Sequence, residues 1–260
     1  MSKIGSLPWR LKHYGSIRSL KYLYFDVFLP LFGLNSAWEL SLDVQETRER
    51  ISRLSGLTYA SVIQIESRAR QFLITFQIEL EKSNQQVKFG VAGLSGPVGR
   101  LTCIGAILKS YRPDAYIETG TQYGVSAEFA RQFGIEEGLG TTVISIDVSD
   151  SDVVPVNSGY RHILLAPPYG PNLLSELEMM GNTFNSIVFA HDSDHTFEHM
   201  KWELFHAYRL LQPKALLCDD IQQHQAFEGF CRETLRQPIV LRYGREPAFG
   251  AITFCDPDGT

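Results

Sequence analysis

Ile117-Glu118-Thr119-Gly120-Thr121-Gln122-Tyr123-Gly124-Val125-Ser126 changes character twice. The apolar run Ala115-Tyr116-Ile117 ends in a carboxylate, two glycines follow four positions apart, and an amphipathic segment begins. That order predicts a strand, a tight turn and a helix. A second apolar run, Val143-Ile144-Ser145-Ile146-Asp147, lies one βα unit downstream and also ends in an acid. Glu118 and Asp147 are then expected side by side, at the carboxyl ends of neighbouring parallel strands. Open α/β sheets bind their ligands at that edge.

The alternation continues to the C-terminus. Val98 to Ser110 reads as a helix ahead of the sheet, and Pro113-Asp114 turns it into the first strand. Val125, Phe129 and Phe133 share a helical face, with Gly134 as the expected stop. Further strands are expected at His162 to Leu165, Ser186 to Ala190, Ala215 to Cys218, Ile239 to Leu241 and Phe249 to Phe254, the last two as a hairpin around Gly244. Helices are expected at Pro171 to Met180, along the stripe Phe197, Met200, Leu204, Tyr208, Leu211, and at Gln223 to Arg236. Strands alternating with helices imply an α/β fold. The expectation is a Rossmann-like, seven-stranded, mostly parallel sheet with helices on both faces.

The first ninety or so residues differ. Residues 1–25 carry five basic residues and no acid, with Trp9, Tyr14, Tyr22, Tyr24 and Phe25 interleaved. Asp43 to Glu81 reads as helix, divided at Gly56, with Val62, Ile65, Ala69, Phe72, Phe76 and Leu80 recurring at three- and four-residue steps. Ser83 to Pro97 is polar and glycine-rich and reads as a linker. We therefore expect a helical N-terminal cap or interface region with its linker at 1–95, and the α/β domain at 96–260. The basic, aromatic start is also compatible with a peripheral membrane contact through residues 1–30. A cap or a homo-oligomer interface is the favoured reading.

Composition narrows the classes. A chain of 260 residues, 44% hydrophobic and 20% charged, is that of a folded globular protein. A formal charge of −5 gives no footprint for nucleic acid. The cysteines Cys103, Cys218, Cys231 and Cys255 form no CxxC pair, so a reducing, cytoplasmic setting fits best. No signal-peptide pattern and no run of about 18 consecutive apolar residues is present.

The motifs resemble those of class I S-adenosylmethionine-dependent methyltransferases, from about Val98 onward. The matching pieces are Ile117-Glu118-Thr119-Gly120…Gly124, Val143…Asp147, Phe189-Ala190-His191-Asp192-Ser193-Asp194-His195-Thr196-Phe197-Glu198-His199 and Leu217-Cys218-Asp219-Asp220-Ile221. The third piece is most similar to the branch holding macrocin-type O-methyltransferases and cephalosporin hydroxylase-like proteins. The resemblance implies S-adenosylmethionine as cofactor, held by Glu118, Gly120, Thr121, Gly124 and Asp147. Glu118 would face its ammonium group and Asp147 its ribose hydroxyls. The glycines would let the backbone approach the ligand. The turn is Gly-Thr-Gln-Tyr-Gly, which counts against a nicotinamide enzyme.

Asp192, Asp219 and Asp220 each follow an apolar strand and are expected at the same edge. Converging carboxylates repel unless protonated or bound to a cation, and oxygen-only ligands suit Mg²⁺. The resemblance implies such an ion, which would orient an acceptor hydroxyl and lower its pKa. One aspartate of the Asp219-Asp220 pair is also expected to cap the following helix.

His195 matches the branch's Asp-x-Asp-His run. His224, four after Asp220, is either a general base or an ordinary exposed helix residue. Pro213-Lys214-Ala215 replaces the branch's Pro-Gly-Gly. The expectation is methyl transfer to an oxygen of a small molecule or glycan, with His195 or His224 handling the proton. The alternatives are a cephalosporin hydroxylase-like protein and a non-catalytic, partner-binding protein that keeps the fold.

Overall fold

The computed structural model describes residues 44–82, 98–121, 123–148, 159–241 and 248–255, and every structural statement refers to these. The chain divides into two units, 1–39 and 40–260. The first lies outside the described residues, as do the expected membrane contact at 1–30, the linker at 83–97 and Gly244 at the hairpin tip.

The second unit is built on β1 (Ala115–Thr119), buried along its whole length. It pairs in parallel with β2 (Thr142–Asp147) on one side and β4 (Ile187–His191) on the other. A parallel strand covered on both faces must be apolar throughout, which Ala-Tyr-Ile satisfies before Glu118. Outside these lie β3 (Arg161–Leu164) beside β2 and β5 (Ala215–Cys218) beside β4. The hairpin partners β6 (Ile239–Leu241) and β7 (Phe249–Thr253) close the edge, with β7 antiparallel to both β5 and β6. The order is β3-β2-β1-β4-β5-β7-β6. Chain direction reverses sideways between β1 and β4, which opens the ligand crevice of such sheets at their carboxyl ends.

The helices in chain order are α1 (Val44–Ser55), α2 (Tyr59–Lys82), α3 (Val98–Tyr111), α4 (Val125–Glu136), α5 (Tyr169–Thr183), α6 (Phe197–Leu211) and α7 (Ala226–Glu233). The break at Gly56 is where expected, because its φ of 69° is a left-handed conformation that glycine adopts without strain. Thr58 then caps α2, its hydroxyl accepting the Ser61 N–H at 3.2 Å.

Three expectations are corrected. Helix α4 runs through Gly134 to Glu136, and Gly138 (φ 62°) is the stop. The Leu139 N–H returns to the Gly134 carbonyl at 2.9 Å and the Gly138 N–H to Ile135 at 3.1 Å, the paired bonds of a glycine-terminated helix end. The segment expected as one helix from Gln223 to Arg236 is a 3₁₀ turn at Ile221–Gln223 followed by α7.

The expected division near residue 95 does not separate α1 and α2 from the sheet. Ile51, Val62, Ile65, Phe72 and Phe76 belong to the same buried core as Leu101, Phe129, Val188 and Phe249. Phe72 lies edge-on to Phe129 with centroids 5.3 Å apart. Arg50 donates to the Val240 carbonyl on β6, and the Tyr111 hydroxyl donates to the carbonyl of Cys255. Helical amphipathicity shows that a face will be buried but not which partner covers it.

Candidate active site

Glu118 and Asp147 stand at the carboxyl ends of adjacent strands, flanking the Gly120–Gly124 turn. Glu118 is 1% exposed and accepts from the Tyr116 hydroxyl and the Ser145 hydroxyl, each at 3.1 Å. Burial pushes its carboxyl above the ordinary value, against the pull of these hydroxyls, Ser126 and Arg100. A cationic group docking here would repay part of that desolvation.

Asp147 anchors the turn. Its carboxylate accepts the Thr121 N–H at 2.8 Å and the Val148 N–H at 2.7 Å. The Thr121 hydroxyl is committed to Ser145 (2.6 Å) and His162 (3.2 Å). The turn's amides are used internally as well: Gly120 donates to Ile146 at 2.8 Å and Gly124 to Thr121 at 2.6 Å.

Both glycines are required, but by the protein's own atoms. A Cβ on Gly120 (φ 85°) would lie 2.0 Å from the Asp192 carbonyl oxygen, and one on Gly124 (φ 67°) would lie 2.3 Å from the Tyr160 hydroxyl. The close approach expected of a ligand is made at these two points by the β4 loop and by Tyr160.

The acid cluster also differs from expectation. Arg100 on α3 projects between Asp192 and Asp219, its Nη1 donating to Asp192 Oδ2 at 2.7 Å and to Asp219 Oδ2 at 2.6 Å. Asp220 turns away. It takes a left-handed φ of 54° at the start of the 3₁₀ turn, and its carboxylate accepts from Gln222 (3.0 Å) and Gln223 (2.6 Å). Among the described residues, no three His, Cys, Asp or Glu side chains are grouped to hold a metal ion. The expected Mg²⁺ set of Asp192, Asp219 and Asp220 therefore does not fit the ion, because a cation of the protein's own occupies the gap. Burial, with Asp219 and Glu118 nearby, still pushes the Asp192 carboxyl well above its usual range, opposed by Arg100. Arg100, Glu118, Ser126, His191, Asp192 and Asp219 contribute to the lining of a cavity of about 10 Å³.

The histidines divide by role. His195 lies beside the acids, Nε2 3.6 Å from Asp192 Oδ1 and Nδ1 3.9 Å from Asp220 Oδ2. Burial lowers its pKa, which favours the neutral imidazole that can accept a proton. His224 is a loop pin: its Nε2–H donates to the His195 carbonyl at 3.0 Å, and its Nδ1 accepts the Ala226 N–H at 3.3 Å. With both nitrogens engaged by backbone, it is corrected from candidate base to positioning residue for the His195 loop. Cys218 is fully buried and its thiol is pushed well up by that burial, as a small core residue would be. The four cysteines are free thiols.

Two residues at this edge were not singled out from sequence, Arg100 and Glu203. Glu203 on α6 is fully buried. It accepts from His191 Nδ1 (2.7 Å), His199 Nε2 (2.9 Å), the Ser193 hydroxyl (2.8 Å) and the Thr119 hydroxyl. Each had a signal that was legible: a charge at a position which helical periodicity places inside. Arg100 interrupts the apolar helix Val98 to Leu108, and Glu203 sits in the stripe of Met200, Leu204 and Ala207. Lys214 and Ala215, which stand in place of the two glycines, take no positive φ; the left-handed residue here is Gln212 (φ 45°), which ends α6.

Burial alone would raise the Glu203 carboxyl, but its imidazole and hydroxyl partners hold it well below the usual range. The Glu203 hydrogen bond raises His199. A depressed acid contributes stability above its unfolded pKa of about 4.3, lost as pH falls through the folded value. A raised histidine contributes below its unfolded value of about 6.5, lost as pH rises through the folded one. The pair should thus stabilise most between about pH 4.3 and 6.5. Melting curves across pH should show the alkaline decline reduced in His199→Gln; an unchanged decline would remove His199 as its source.

Residues 97–218 match the family model described as Rhamnosyl O-methyltransferase/CmcI, a little under half of the chain. By its description the matched model is that of an O-methyltransferase family, the class that the motifs resemble. Similar solved structures include an apo-structure of CmcI, at 17% identity and TM-score 0.45 over 64% of this chain and 74% of that one. Another is the O-methyltransferase from Bacillus cereus in complex with SAH, at 14% identity and TM-score 0.47 over 70% and 90%. The SAH-bound Podospora anserina methyltransferase PaMTH1 is similar at 12% identity and TM-score 0.46 over 85% and 100%. No curated protein sequence matches the chain. Among the described residues, no helix is long and apolar enough to cross a membrane.

Proposed function

We propose that this protein transfers a methyl group from S-adenosylmethionine to a hydroxyl oxygen of a small molecule or sugar. One observation carries the reading. The segment matching the O-methyltransferase model places Glu118 and Asp147 at the ends of adjacent parallel strands around the glycine turn. The cofactor's sulfonium supplies an activated methyl group. The chain's residues bind and orient. Glu118, desolvated and acidic, suits an ammonium group; Asp147, at the end of β2, suits two ribose hydroxyls. We assign proton acceptance from the acceptor hydroxyl to His195, a role supported by its lowered pKa and its position beside Asp192. No step is assigned to Mg²⁺.

A second reading, a partner-binding protein that retains the fold, is favoured by the small cavity among the described residues and by the amides of Gly120, Thr121 and Gly124, which are bonded within the protein. Calorimetry separates the two. S-adenosylmethionine should bind the full chain, and Asp147→Ala should weaken it about 100-fold, for two charge-assisted hydrogen bonds at about 1.5 kcal/mol each. No measurable heat with either S-adenosylmethionine or S-adenosylhomocysteine would favour the partner-binding reading.

A further inference from the structure

Arg100 lies where a divalent cation would bridge the acids at the ends of β4 and β5. A single nitrogen, Nη1, is within hydrogen-bonding distance of one oxygen from each carboxylate. Mg²⁺ requires oxygens at about 2.0–2.1 Å in a near-octahedral shell, so the ion and this nitrogen cannot share the gap. The guanidinium stays charged at any working pH and cannot be chelated away. It is anchored in place, since α3 is buried along most of its length. The third oxygen ligand such an ion would use, Asp220, is bonded to two glutamine side chains instead. The buried Arg100 Nε has no hydrogen-bond partner among the described residues, and Arg100 lines the cavity.

We propose that Arg100 is a tethered replacement for the metal ion. It neutralises Asp192 and Asp219, ties the β4 and β5 loops together, and leaves the Nε–H as a donor for an oxygen of the bound acceptor. The protein then takes up no divalent cation at these aspartates. The acceptor oxygen is held by hydrogen bonding to a guanidinium rather than by coordination. The last consequence rests on the methyltransferase reading; the charge replacement does not.

Mn²⁺, which reports its own binding through loss of the free-ion paramagnetic resonance signal, is the probe. The full wild-type chain should leave the signal unchanged at up to ~1 mM Mn²⁺, the range of weak protein sites. Arg100→Ala should take up Mn²⁺ and gain melting temperature from it, and the added change Asp219→Asn should abolish both effects. If Arg100→Ala does not fold, Arg100→Gln takes its place. Wild-type uptake that Asp192→Asn removes would overturn the proposal, as would a folded Arg100 variant that binds no Mn²⁺. S-adenosylmethionine calorimetry in the presence of a chelator tests the methyltransferase reading separately. A chain that binds no cofactor at all would end that reading while the Mn²⁺ results still decide the role of Arg100.

Discussion

Gly120→Ala is expected to destabilise the protein by on the order of 4 kcal/mol, at the upper end for a single substitution. Two costs add. The backbone φ of 85° is disfavoured for any residue with a Cβ, by about 1–2 kcal/mol. The added methyl would also lie 2.0 Å from the Asp192 carbonyl oxygen and 2.8 Å from the Ser193 nitrogen. Those are backbone atoms, so relief requires moving the β4 loop away from β1. That loop carries Asp192 and its bond to Arg100, so this ion pair should loosen as stability falls. Gly134→Ala is the control. Nothing lies within 4 Å of its Cβ position and it sits inside α4, so alanine should stabilise by about 0.5–1 kcal/mol. Urea denaturation of both variants checks the pair. A Gly120→Ala protein within 1 kcal/mol of wild type would mean that the β1 and β4 loops are not in contact as described.

Glu203→Ala should cost about 3–5 kcal/mol, because it removes one member of a buried charged network and leaves its partners without an acceptor. His191 and Thr119 are buried as well, so water cannot readily replace the lost carboxylate. Glu203→Gln keeps the shape and one acceptor oxygen and should cost less than the alanine variant. Because Ser193 and His191 flank Asp192 in sequence, the alanine variant should also loosen that loop. Chemical denaturation reads the stability. Equal effects of Ala and Gln would indicate that packing, not the hydrogen-bonded carboxylate, accounts for Glu203.

The sheet was legible because parallel strands must be apolar on both faces. The runs before Glu118, Asp147, Asp192 and Asp219 have that property, and each was placed to within a residue or so. The acids at their ends were legible for the same reason, since the first polar residue after a buried run sits at the edge. Helix ends were less so. Gly134 and Gly138 are both plausible stops, and only the bonds from Leu139 and Gly138 choose between them. The two readings of His224 could not be told apart before its ring nitrogens were seen bonded to the His195 carbonyl and the Ala226 amide.

The sequence by itself determined the order of strands and helices, the acids at the strand ends and the glycine turn. These follow from local periodicity and backbone preference, which are properties of neighbours in the chain. Tertiary structure decided the rest: that α1 and α2 share the core, that Gly120 makes room for the Asp192 carbonyl, and that Arg100, 92 and 119 residues away from its partners, reaches both Asp192 and Asp219. Each depends on which surfaces meet across the chain, and residue spacing carries no record of that.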